Sequence, residues 1–444
     1  MILSMTMTKW FHSPFDRDIY ALALPALLSL IAEPLVSMVD TIFVGRISTE
    51  ALAALGVNTA LFAMAFTIFL FLAYGTTPMI AKSFANRELK ETGLAISQAL
   101  ILALLLGVLS MFLLQMLAIP LLKLMGTSQD FMAEALVYLR IRSLSGPALL
   151  VIMASNGIFR GFQNTRTPLL VGIVLSLINL VLDALFILVF HWGIAGAAFA
   201  TLIAQYFGAA LFLYYLFAER GRHFELPDRL PELESYLPFL KVAWELILRS
   251  VALIFTLSLA SAVATRLGAQ QVAAHQILNQ IIMLSALSVD ALAVAAHAMI
   301  PKYVGQGDWG MARALSQRLL QLGLAFGGLL ALLLLALSPF IPSTFSQDTS
   351  IYPFIHLGLL FLIIGLPLNA LLFVWDGIFM GLEAFNFLAI AMLISAALAI
   401  GVLLLVIPLQ WGYLGVWIGI STLMLARISG LAWAYYRGNF FAKH

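Results

Sequence analysis

What constrains this chain most is a series of twelve apolar runs, each long enough to cross a lipid bilayer and nearly empty of charge. They fall at about 15–44, 51–79, 92–119, 131–160, 167–190, 194–219, 238–265, 270–300, 311–338, 350–381, 384–408 and 412–435. A hydrocarbon layer about 30 Å thick is crossed by about 20 helical residues rising 1.5 Å each, so every run is sufficient. No water reaches backbone amides inside lipid, and a single segment can satisfy them only by coiling into a helix. The predicted fold is therefore all-α and polytopic, with twelve transmembrane helices. Composition agrees, because 63% hydrophobic and 10% charged residues over 444 positions leave too little polar surface to wrap a soluble body of that size.

The charges then orient the chain. An even number of crossings puts both termini on one side, and the excess of Lys and Arg marks the cytoplasmic side. With the N-terminus inside, only Arg46, Lys123 and Arg266 of the 23 basic residues fall outside, and Arg140, Arg142, Arg249 and Arg427 lie within helices. The rest are cytoplasmic. A net charge of +2, spread over short loops, implies no nucleic-acid partner. Cysteine is absent, which excludes disulfides, thiolate metal sites and thiol chemistry. The N-terminal MILSMTMTKWFHSPFDRD segment carries Asp16 and Asp18 and has no small-residue cleavage site, so it reads as a retained amphipathic lead-in rather than a signal peptide.

The two halves repeat. A shift of 220 residues lays GIFRG at 157–161 over GIFMG at 377–381, Pro147 over Pro367 and Lys82 over Lys302, while WGIAG at 192–196 meets WGYLG at 411–415 after 219. The domain expectation is an N-terminal lobe at 1–219, a polar cytoplasmic linker at 220–237 and a C-terminal lobe at 238–444. Six helices per repeat bring both halves into the membrane from the same face, so the lobes are expected to be related by a pseudo-twofold axis along the membrane normal, with a binding cavity at the midplane. That organisation points to a transporter over a channel, a receptor or an intramembrane enzyme.

A carboxylate in hydrocarbon costs about 2.5–3.5 kcal/mol or more, so each intramembrane acid needs a reason. Asp40 on the first helix and Asp183 on the fifth reach similar depths, and Asn179 stands one turn before Asp183 on the same face. Thr201 on the sixth helix lies at a comparable level. These four groups form either a proton- or cation-carrying cluster or a polar seam that glues helices. Two acids at one depth favour the first reading, since glue does not need charges that repel. Pro25 and Pro34 precede Asp40 and each removes a backbone hydrogen bond, which makes Pro25 a candidate hinge or a static kink.

The second half does not copy these acids, because the same shift puts Ala260 at Asp40 and Leu403 at Asp183. Its ionisable groups are Glu245, Arg249, Asp290 and Asp376. Glu245 and Arg249, four residues apart, read as a local salt bridge. Asp376 overlies Asn156 and is placed to pair with Arg249, either as a structural tie or as cavity lining. Phe62 and Tyr206, with Met64, Phe66 and Phe69, are candidate walls for an aromatic cation or plain packing residues. His275 and His297 lack partners at ligand spacing, so no metal site is expected.

The runs GIFRGFQNTRTPL at 157–169 and PLVSMVDTIFVGRISTEALAALG at 34–56 resemble the multidrug and toxic compound extrusion family, in particular its DinF-like branch. The likeness covers nearly the whole chain, and Asn164 stands where an aspartate is usual. It implies an antiporter in a bacterial inner membrane that expels cationic or amphipathic organic compounds, needs no cofactor and is driven by protons or sodium. The family's N-lobe site falls on Asp40, Asn179, Asp183 and Thr201, and its bending proline on Pro25. Its C-lobe sodium site, in another branch, uses a helix-7 glutamate; Arg249 occupies that neighbourhood here, which favours protons, although sodium at Asp40 and Asp183 stays open. A lipid or polysaccharide flippase of the same superfamily is the rival reading, and the protein is expected to act as a monomer.

Overall fold

The computed structural model describes residues 13–45, 47–227, 231–345 and 348–437, without the side chains of 32–42, 45, 49, 233 and 238. Its long helices are α1 (Asp16–Gly45), α2 (Thr49–Thr67), α3 (Phe71–Ala85), α4 (Leu89–Met116), α5 (Met132–Ser143), α6 (Gly146–Gly161), α7 (Arg166–Asp183), α8 (Gly193–Ala218), α9 (Leu237–Leu267), α10 (Ala269–Gly305), α11 (Trp309–Leu337), α12 (Tyr352–Gly381), α13 (Phe385–Val406) and α14 (Gly412–Arg437). Helices α2 and α3 run on through a single 3₁₀ turn, Ile68–Leu70. Among the described residues ten helical stretches are long and apolar enough to span a membrane, and α5 with α6, bent by 52° at their junction, make an eleventh. The 30-residue helix α1 precedes them.

Helix starts follow the local chemistry. The Ser48 hydroxyl accepts from the Ala51 amide at 3.0 Å and the Asp308 carboxylate from Met311 at 2.9 Å, each satisfying an amide that the first turn leaves open. The sharp bend between α5 and α6 has a visible cause. Pro147 sits at the start of α6, and Gly107 on α4 lets that turn approach so closely that a Cβ there would lie 2.5 Å from the Pro147 Cα.

The chain divides into two compact units, Leu28–Ala243 and a second formed by Met1–Leu27 with Trp244–His444. The boundary cuts α1, whose beginning belongs to the second unit. There the Asp16 carboxylate accepts from the Arg318 guanidinium through both oxygens, at 2.7 and 2.8 Å, and the Phe15 ring meets Tyr303 edge-on. This bidentate pair ties the start of α1 to α11.

The sequence repeat is a repeat of packing. Gly157 on α6 lies against the backbone of Ala73 on α3, and Gly377 on α12, 220 positions later, lies against Ala293 on α10. Gly161 against Ile80 is matched by Gly381 against Ile300, and Gly107 against Pro147 by Gly327 against Pro367. Between helices in lipid, where burial gains little, close backbone contact supplies the attraction, and small residues make it possible. Even the strained turns correspond, with Gln163 at φ 59° and Glu383 at φ 57°.

Candidate functional site

In the first unit, α7 carries Asn179 and Asp183 one turn apart and both are almost fully buried. The Asn179 amide nitrogen donates to Asp183 Oδ2 at 2.5 Å, so the acid held at depth has a fixed donor of its own. The α-helix stops at Asp183, and Ala184–Val189 continues as a π-helical turn. Such turns widen the backbone and recur at functional positions. No residue pattern in 184–189 announces it, and sequence reading missed it. Thr201 sits on the neighbouring α8 but donates to the Ala197 carbonyl at 3.0 Å along its own helix. The side chain of Asp40 lies outside the described residues. Of the four expected coupling residues, the structure thus brings Asn179 and Asp183 into direct contact.

Pro25 is half-buried, and α1 runs through it unbroken from Asp16 to Gly45. Phe62 is a packed residue rather than an open wall: it is 9% exposed, stacks on Phe66 with centroids 5.6 Å apart, and lies 5.0 Å from the Arg142 guanidinium. Arg142 also donates to Gln205 Oε1 at 2.7 Å and to the Ser145 hydroxyl, next to the α5–α6 bend. Tyr206 is 47% exposed, with its hydroxyl on the Leu144 carbonyl at 3.0 Å, and borders an apolar groove with Met111, Leu202 and Phe207. Asn156 is half-buried on α6.

The second unit holds a cluster that sequence reading found only in part. Arg249 on α9 donates to Asp376 Oδ2 on α12 at 2.6 Å, so the expected cross-bundle pair exists, and this ion pair replaces the local bridge expected with Glu245. Arg427 on α14, 5% exposed, donates to the same oxygen at 2.5 Å. Nothing in the local sequence around 427 links it to 376, since the contact depends on how three helices pack. His275 is buried against Tyr413 and Trp417, and no group of three or more His, Asp or Glu capable of holding a metal occurs among the described residues.

These features define a polytopic helical membrane protein with a duplicated packing plan, a buried acid–amide pair in the first unit and a buried arginine–aspartate cluster in the second. The chain matches the MatE family model over residues 25–185 and 246–405, and it belongs to that family. It is 34% identical to Protein DETOXIFICATION 44, chloroplastic, of Arabidopsis thaliana, over 94% of this chain and 81% of that protein. It is 28% identical to DNA damage-inducible protein F of Escherichia coli (strain K12), over 67% of this chain and 66% of that one, in keeping with the branch its loop resembles. A solved structure described as the outward-facing conformation of a multidrug resistance MATE family transporter of the MOP superfamily superposes with a TM-score of 0.86 at 22% identity, covering 98% of both chains. That likeness is one of fold.

Proposed function

We propose that the protein is a secondary antiporter that expels cationic or amphipathic organic compounds in exchange for protons. The buried Asp183–Asn179 pair carries this reading, because a carboxylate buried beside a neutral amide donor can hold or release a proton without losing that hydrogen bond. Ionised, Asp183 attracts a cation. Protonated, it keeps Oδ2 as acceptor from Asn179 and presents no net charge, so the attraction ends. Asp40 on α1 is the second acid of the cycle, Thr201 an auxiliary oxygen, and bending of α1 at Pro25 the conformational change that protonation biases. Loop charges support placing both termini and the 220–237 linker in the cytoplasm of a bacterial cell, with the protein in the plasma membrane, and the resemblance supports function as a monomer.

The test is resistance to a cationic drug, such as ethidium, in cells lacking their own exporters. Asp183→Asn and Asp40→Asn are each expected to abolish resistance while membrane abundance, measured on a tagged protein, stays normal. Near-normal export by both variants sinks the assignment.

A further inference from the structure

We infer that Asp16 and Arg318 are positioning residues for transport: they anchor the first turns of α1 in the second unit, so that flexing at Pro25 displaces the rest of the helix, which carries Asp40, instead of swinging a free end. This rests on the hinge proposed above and names what the hinge works against. The division of the chain is what calls for an anchor. Helix α1 is cut between Leu27 and Leu28, its start belonging to the second unit and its remainder to the first. Pro25 lies two residues before the cut. Helix α9, which opens the second repeat, is cut between Ala243 and Trp244, and its start belongs to the first unit. Under the shift of 220 the two cuts fall about one helical turn apart.

A helix shared in this way transmits a bend only if its short end is held. Nine residues, about 14 Å of helix, separate Asp16 from Pro25. Along them Phe15, Ile19, Leu22 and Ala26, three or four residues apart, form a buried stripe, and the Phe15 ring meets Tyr303 on α10 at 6.1 Å. Asp16 Oδ1 and Oδ2 accept from Nε and Nη2 of Arg318, which is itself 7% exposed, and Gln321 Oε1 accepts from Nη1 of the same guanidinium at 3.2 Å. The Ser13 amide also donates to Asp16 Oδ2 at 2.9 Å, which ties in the chain before the helix. A planar fork bound at two points fixes direction as well as distance.

The repeat supplies an internal comparison. Gln98 on α4 stands 220 positions before Arg318, and it donates to the Ser235 carbonyl, just before α9, at 3.2 Å; Ser235 in turn overlies Phe15. Val242 on α9 lies 3.1 Å from where a Cβ on Gly75 of α3 would sit. The start of each repeat's opening helix is therefore gripped by the third helix of the other repeat. On α9 the grip is one neutral hydrogen bond. On α1 it is a bidentate ion pair, in which each charge-assisted bond is about twice as strong as a neutral one. Glu245 occupies in α9 the place that Pro25 has in α1, so the firm grip accompanies the helix with the hinge. A carboxylate serving only to close the first turn of α1 needs no partner on α11.

Epistasis in proteoliposome transport tests the role. Asp16→Asn is expected to keep ethidium affinity and to lower turnover severalfold in the wild-type background. With Pro25 already alanine, the same change is expected to alter turnover by less than about twofold, because an anchor acts only through the hinge it holds. Arg318→Lys, which keeps the charge and loses the fork, is expected to fall between the wild type and Arg318→Gln. Gln98→Ala, at the other grip, is expected to combine with Pro25→Ala additively. Unchanged turnover in Asp16→Asn, or full additivity of Asp16→Asn with Pro25→Ala, overturns the proposal. A second readout is independent of coupling: nitroxides on Tyr20→Cys and Leu324→Cys, exposed positions on α1 and α11 in a chain without natural cysteine, measured by EPR in nanodiscs. The otherwise wild-type protein is expected to give one narrow distance distribution, the same with and without ethidium and from acid to neutral pH, and Asp16→Asn a broad one. If the Arg318 variants fail to fold, Asp16→Asn and the labelled protein decide. A distribution that shifts or widens with ethidium or pH in a transporting protein removes the anchor alone. Absence of ethidium movement by the wild type removes the antiport reading, and the positioning role with it.

Discussion

Substituting alanine at Gly157 and at Gly377 probes the duplicated packing, because the same clash is built twice in separate units. A Cβ at Gly157 would lie 2.6 Å from the Ala73 carbonyl oxygen and one at Gly377 2.4 Å from that of Ala293, short by 0.8 and 1.0 Å of the 3.4 Å at which ordinary contact begins. In both cases the obstacle is helical backbone, which cannot turn aside as a side chain can, so α3 must separate from α6, and α10 from α12. Overpacking of this kind costs about 1–3 kcal/mol, and the rigid obstacle puts each variant toward the upper end. At position 157 the Thr77 hydroxyl, which donates to the Gly157 carbonyl at 3.1 Å, is strained as well. Gly401→Ala is the control. Nothing lies within 4 Å of a Cβ there, and alanine in a helix interior gains about 0.5–1 kcal/mol over glycine. The assay is thermal unfolding of the detergent-purified protein followed by tryptophan fluorescence. Both Gly157→Ala and Gly377→Ala should melt below the wild type, with losses that add in the double variant because the sites share no partners, while Gly401→Ala melts at or above it. Should 157 and 377 tolerate alanine as well as 401 does, the argument that close glycine contacts hold each unit together is wrong.

Other expectations concern α1 and sidedness. Pro25→Ala restores a helical hydrogen bond where bending is proposed, so ethidium binding should persist while turnover in proteoliposomes falls severalfold; unchanged turnover would mean a static kink. A cysteine at Ser235, the sole thiol in a chain without natural cysteine, should resist a membrane-impermeant maleimide on intact cells and react once they are opened, and labelling of intact cells would invert the topology.

Much of this molecule is legible in its sequence because lipid leaves the backbone so little choice. Apolar length and proline, glycine and charge clusters locate the helices, and the shift of 220 that aligns GIFRG with GIFMG foretells that Gly157 and Gly377 share a packing role. The Asn179–Asp183 contact is equally readable, since a spacing of four on one helix fixes the shared face. What is not readable depends on neighbours. Arg427 joins Asp376 through packing of α12 on α14, which no spacing encodes, whereas the Arg249–Asp376 pair is one the sequence leads to expect. The π-turn after Asp183 is the same kind of case: its residues, ALFILV, fit an ordinary helix, and only the surrounding contacts settle the wider one. Phe62, taken as a candidate wall, proves to be enclosed by Phe66 and Arg142 for that reason too.

Coupling is the centre of the account, and proton movement measured directly tests it best. Proteoliposomes containing the purified protein and an internal pH dye are given an outward-to-inward ethidium gradient, with sodium and with choline as the external cation. The account predicts ethidium-driven proton efflux of equal size in both salts, and none with Asp183→Asn. Ethidium movement that requires sodium and leaves internal pH unchanged would contradict it.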